Sequence, residues 1–177
     1  MSFFKNLFKK KKVKTRKIEF HQILPFDIFS IPDENYKLIE TKDYQDGSQN
    51  VIYISSKNQK STHPWLYDRI VVSHSTDIEF GKMVKLFKDL NGFNFDRIVD
   101  YINWISSIYG LDDNGGGEMM KNEKYELEDS INNPDGTWMY RTWLKDETKD
   151  PTCMISLSDD FKSLQTTLFF SKNVYNK

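Results

Sequence analysis

The sequence predicts one α+β domain, a mainly antiparallel sheet with a C-terminal four-strand meander, packed by two central helices. Three observations carry that expectation. Within the body of the chain, helical periodicity is confined to residues 80–109, and twofold alternation of apolar and polar residues flanks it on both sides. About 160 residues follow a basic N-terminal arm, enough for one hydrophobic core and too few for two. The chain has 13 Phe, 9 Tyr and 4 Trp but no alanine, so the core is expected to be filled by large, stiff side chains.

Residues 1–17 form the arm. Phe3, Phe4, Leu7 and Phe8 make one apolar stripe of a short helix with lysines around it, and Val13 to Lys17 reads as a tether. Residues 18–177 form the acidic domain. A brief strand is expected at Lys17 to Phe20, then an extended passage punctuated by Pro25 and Pro32. Tyr36 to Thr41 and Val51 to Ser55 alternate as paired strands, with Asp46-Gly47 supplying the reversal. Leu66 to Ser73 reads as a strand. Phe80, Met83, Val84, Phe87 and Leu90 fall on one helical face, with Asp77 as cap and Asn91-Gly92 as stop. A second helix is expected from Phe95 to Tyr109. After Gly110 the period changes to two, and Tyr125 to Glu128, Thr137 to Leu144, Thr152 to Leu157 and Leu164 to Phe170 read as the four strands of the meander.

Charge is segregated along the chain. A formal net charge of −1 divides into +8 on the arm and −9 on the body. An acidic body and an arm made mostly of lysine, with no recognition fold beside it, argue against nucleic acid as a partner. The arm suits an anionic membrane surface instead: Phe3, Phe4, Leu7 and Phe8 insert while Lys9, Lys10, Lys11 and Lys12 meet headgroups. The alternative is that the apolar stripe docks on the domain and the lysines stay solvated. No apolar run approaches the length of a spanning helix, and Phe3 to Phe8 is too short and too broken for the core of a secretory signal. Ser2 excludes N-myristoylation, and the C-terminal residues are no prenylation box. The one cysteine, Cys153, lies in an apolar alternation and reads as a small buried hydrophobe. The expected location is cytoplasmic, with a peripheral contact at the inner membrane surface.

Catalytic chemistry finds little support in the spacing. His21, His63 and His74 lie too far apart for a local metal motif, and no nucleophile elbow accompanies Ser73, His74 and Ser75. The glycines Gly115 to Gly117 follow a helix rather than introduce one, so they are no phosphate loop. Asp112, Asn114 and Glu123 partly match positions 1, 3 and 12 of a calcium loop. Position 5 is Gly116 and position 9 is Met120, so two ligands are missing, and a Gly-rich linker between the helical and strand halves is the competing reading. No cofactor and no catalytic residue is therefore expected.

The remaining signal is the stretch Asp112 to Asp135, with eight carboxylates against Lys121 and Lys124, leading into an aromatic strand. Asp112, Asp113, Glu118, Glu123, Glu126, Glu128, Asp129, Trp138, Tyr140, Arg141 and Trp143 are the expected contacts of a cationic protein partner, since acid beside aromatic is what a binder of a basic surface presents. The competing reading places Trp138 and Trp143 in the core of the meander.

The opening Met-Ser-Phe-Phe-Lys-Asn-Leu-Phe-Lys-Lys-Lys-Lys, the Lys/Asn/Ile/Phe-rich usage and the lone acidic domain resemble, in layout over the whole chain, small bacterial immunity proteins of polymorphic toxin systems. The resemblance implies a non-enzymatic cytoplasmic inhibitor that masks a basic toxin. The alternatives are a membrane-surface accessory protein and a hydrolase whose site is scattered in sequence.

Overall fold

The computed structural model describes residues 16–17, 23, 36–56, 67–74, 80–92, 94–133, 136, 138, 140–145 and 149–171. The arm residues assigned to a membrane surface (3, 4 and 7–12), together with His21 and His63, lie outside them.

The chain forms the expected α+β domain with an antiparallel meander. In order, the elements are β1 (Arg16–Lys17), β2 (Tyr36–Asp43), β3 (Gln49–Ser55), β4 (Arg69–His74), β5 (Phe80–Asp89), α1 (Phe95–Tyr109), α2 (Lys121–Asn132), β6 (Tyr140–Trp143), β7 (Lys149–Asp150), β8 (Thr152–Leu157) and β9 (Ser163–Ser171). A seven-stranded sheet runs β2-β3-β4-β5-β9-β8-β6, with every neighbouring pair antiparallel, while β1 pairs parallel with β7.

The β2–β3 hairpin turns where Asp46-Gly47 directs it. Gly47 has φ +79°, which a side chain would resist, and its N–H donates to the Tyr44 carbonyl at 3.0 Å.

Two elements differ in type from the sequence expectation. Residues 80–89 are strand, not helix. β5 is the fourth of seven strands, and apolar residues occupy both of its faces: Val84 and Leu86 point to the helices, while Phe87 is buried on the opposite face. Such a strand loses the clean alternation that marks a half-exposed one, and its apolar positions fall by chance on helical spacing. Residues 125–128 are helix, not strand. They belong to α2, which buries Leu127 and Ser130 and is otherwise polar, leaving no apolar stripe to read. The C-terminal end of the sheet is thus built of β5, β9, β8 and β6.

Register organises the covered face. One row across the sheet runs Val51, Val72, Val84, Leu168, Cys153, Trp143, and the next runs Tyr53, Ile70, Leu86, Thr166, Ile155, Arg141. Onto these rows α1 lays Ile98, Val99, Ile102, Ile105 and Tyr109, forming one continuous core. The helix starts at Asn94, whose side chain accepts from the Asp96 N–H at 2.8 Å. It stops at Gly110 (φ +84°).

A polar thread crosses this core. The Tyr101 hydroxyl on α1 is 2.6 Å from Thr166 Oγ1 and 2.9 Å from the Tyr67 hydroxyl, and Tyr67 donates to the Ile23 carbonyl at 3.2 Å. Burial pushes the phenols of both tyrosines up, so they remain neutral donors at all ordinary pH. Cys153 is the buried hydrophobe its alternation suggested. Burial raises its thiol far above the reactive range. No described helix is long and apolar enough to cross a membrane.

Candidate functional site

The sequence between α1 and β6 converges on one side chain. Arg141 occupies an inward position of β6, opposite Ile155, and is buried among carboxylates rather than aliphatics. Its Nε donates to Glu123 Oε1 at 2.5 Å, and Nη2 donates to Glu123 Oε2, a bidentate fork. Its Nη1 donates to Ser106 Oγ at 3.1 Å and to the Gly117 carbonyl. Asp112 Oδ2 lies 3.8 Å from Nε. Partners therefore come from α1, the following loop and α2, all gathered by one guanidinium.

The loop is shaped to deliver them. Asp112 Oδ1 accepts from the N–H groups of Asn114 and Gly116, each at 2.8 Å, and the Gly115 N–H donates to the Asp112 carbonyl at 3.0 Å. A Cβ on Gly116 would sit 2.8 Å from Asp112 Oδ2, so the loop closes on the carboxylate only because that residue is glycine. The Met119 N–H donates to Asn103 Oδ1 at 2.8 Å, pinning the far end to α1. Residues 112–119 are thus a turn tied to α1, in place of the expected Gly-rich linker between helix and strand.

Of the partial calcium loop Asp112, Asn114 and Glu123, the two carboxylates converge, but on a cation the chain carries itself. Glu123 is taken by Arg141, Asp112 by backbone amides and the guanidinium edge, and Asn114 contributes its N–H rather than its side-chain oxygen. Among the described residues no group of three or more His, Cys, Asp or Glu is placed to hold a metal ion.

Asp113 does a different job. Its Oδ2 accepts from the Leu144 N–H at 2.8 Å and its Oδ1 from the Lys145 N–H at 3.1 Å, while its own N–H donates to the Thr142 carbonyl at 2.8 Å. The side chain holds the two amides that follow β6, while the Asp113 backbone N–H bonds to the Thr142 carbonyl of the strand itself. Burial raises its carboxyl pKa, but the Leu144 amide and the other donors outweigh that and hold it below the ordinary 3.8. A depressed folded-state pKa contributes stability above the unfolded value, and that stability is lost as pH falls through 3.8 and then through the lower folded value. Asp113→Asn is therefore expected to be less stable than the native protein at neutral pH and to converge with it in strong acid. Urea denaturation across the acid limb checks this, and a constant difference at every pH would refute it.

The other expected contact residues separate by burial. Trp143 is fully buried, its Nε1 donating to the Gly110 carbonyl at 2.9 Å, and Trp138 is buried with its N–H donating to Ser130 Oγ at 2.8 Å. These two, with Arg141, belong to the interior, as the core reading of the tryptophans has it. Asp129 is half-buried on α2. Glu118, Glu126, Glu128 and Tyr140 are exposed. Asp112, Asn114, Glu123, Glu126, Trp138, Tyr140 and Arg141 border an open depression of about 450 Å³. Ser106 and the Gly117 carbonyl were missed in the sequence, because a serine on a buried helix face and a main-chain oxygen carry no pattern.

Four of the five guanidinium N–H groups donate to internal acceptors, and of the carboxylates lining the depression Asp112 and Glu123 are engaged with Arg141. His74 lies at the end of β4, where burial and the neighbouring Lys82 lower its pKa and favour the neutral ring. Compared with protein-family models, curated proteins and solved structures, the chain matches none.

Proposed function

We propose that this chain is a non-enzymatic protein-binding domain, an immunity-type inhibitor acting in the cytoplasm, which neutralises a basic bacterial toxin through an acidic, aromatic-bearing surface. The observation that supports this reading is what remains exposed once the buried cluster is subtracted. Glu118, Glu126 and Glu128 make no ion pair among the described residues; Met120, 73 % exposed, and Tyr125, 71 %, stand out beside them in sequence, and Tyr140, 51 % exposed, borders the same depression as Glu126. Solvated acid alternating with exposed aromatic and methionine side chains is the composition of an interface for a cationic partner, with the charge steering encounter and the aromatics supplying contact area.

The test is affinity capture from the native cell together with the products of adjacent genes, comparing the native protein with the triple variant Glu118→Lys, Glu126→Lys, Glu128→Lys. All three positions are exposed, so the fold is expected to survive the change, which circular dichroism verifies. The expected result is a basic partner retained by the native protein and lost by the variant. Retention by both would remove the acidic surface from the mechanism. Absence of any partner, with turnover of a small substrate abolished by a histidine change, would favour the hydrolase.

A further inference from the structure

The two ends of the sheet are finished differently. At β6 the Thr142 carbonyl, with the Leu144 and Lys145 amides just beyond the strand, is engaged by Asp113. At β2 nothing among the described residues pairs with the open side, and every residue from Lys37 to Asp43 is exposed, including Leu38 at 58 % and Ile39 at 52 %. An open row of N–H and C=O groups on an eight-residue strand is a template for another strand. Its charges decide which strand fits.

We propose that β2 is a homodimer edge, on which two copies of this chain pair antiparallel about a twofold axis through Thr41, joining the two sheets into one. In that register Glu40 of each copy stands opposite Lys42 of the other. Glu40 and Lys42 already pair at 3.3 Å within their own strand, so the four charges alternate in sign around a square in which each has two opposite neighbours. Other registers fit less well. An axis through Glu40 opposes that carboxylate to its copy, and one through Lys42 opposes two ammonium groups. An axis between two residues is not available, because directly opposed residues of an antiparallel pair share a face and the twofold preserves that face. The bulge between Leu38 and Glu40 bends the strand at its other end and confines straight pairing to the residues around Thr41. A short ladder with a few exposed apolar side chains gives an interface at the small end of the specific range, hence a weak and reversible dimer.

Sedimentation velocity from micromolar to submillimolar protein is expected to show monomer passing to dimer. Glu40→Lys or Lys42→Glu alone converts each unlike pair into a like one and should weaken the dimer by about tenfold or more, whereas the two changes together restore it with the signs exchanged. Oxidised Thr41→Cys should cross-link, because residues facing each other on an axis have Cα atoms about 4.5–5.5 Å apart, within disulfide reach. Asp43→Cys should not, and the native Cys153 is buried and silent. A protein monomeric throughout that range would assign the charges and the bulge to keeping the edge unpaired and would overturn the proposal. So would a dimer indifferent to the single exchanges, or equal cross-linking at position 43.

Discussion

Replacing Arg141 with methionine is expected to lower the unfolding free energy by about 3–5 kcal/mol, the cost of leaving the carboxylates of a buried ion pair without their partner. The guanidinium is almost wholly buried, and the Asp112 side chain beside it is nearly so. Methionine matches the length of the arginine stem and leaves no large void, so the loss is electrostatic: Glu123 and Asp112 would face an apolar group and each other. Arg141→Lys is expected to rescue little, since an ammonium cannot reproduce the fork to Glu123 while also reaching Ser106 and Gly117. The pair of changes Arg141→Met and Glu123→Leu should recover a large part of the loss, because removing both members of a buried pair costs much less than removing one. Urea denaturation of the three variants at neutral pH measures the set. A loss under about 1 kcal/mol for Arg141→Met would mean that the cluster is hydrated and behaves as a surface pair.

Trp143→Ala is expected to cost a comparable amount, about 3–5 kcal/mol, for a different reason. The indole is fully buried at the end of a cross-sheet row, with its ring centroid 5.6 Å from that of Tyr109 and its N–H on the Gly110 carbonyl. Truncation creates a cavity at the junction of β6 and α1 and strands the helix-terminal carbonyl. Trp143→Phe separates the two contributions: it keeps most of the volume and is expected to lose only about 1–3 kcal/mol, largely for the unsatisfied carbonyl. Thermal and urea unfolding compare the three proteins. Equal losses for Ala and Phe would place the whole effect in the hydrogen bond.

α1 was legible in the sequence, because the apolar stripe through Ile98, Val99, Ile102, Ile105 and Tyr109 and the change of period after Gly110 agree on one element; its Asn94 cap was not read there. The β2–β3 hairpin was legible from its alternation and the Asp46-Gly47 turn, and β8 and β9 because each has one covered face. β5 and α2 were not. A central strand with apolar residues on both faces and a helix covered on almost none both erase the periodicity that reveals type, in opposite directions. For the site, the acidic run and its leading aromatics marked the right segment, but not which members turn inward. Alternation along β6 groups Arg141 with Trp143, and nothing local indicates that an arginine, rather than Tyr140, takes the buried side. That choice is made by Glu123 and Ser106, which lie 18 and 35 residues away.

α2 owes its existence to that same arginine. Twelve largely polar residues with two buried side chains do not hold a helix by themselves in water. The helix stays formed because Glu123 grips Arg141, Ser130 receives the Trp138 amide and Leu127 enters the core. Arg141 is in this sense a latch: α2 cannot open without breaking its bonds to β6, so the most exposed helix and the last strand of the sheet are expected to melt as one cooperative unit. A ligand that seized Tyr125, Glu126 and Glu128 would therefore tighten residues it never touches, and its binding energy would be felt through Glu123 as protection of the sheet edge.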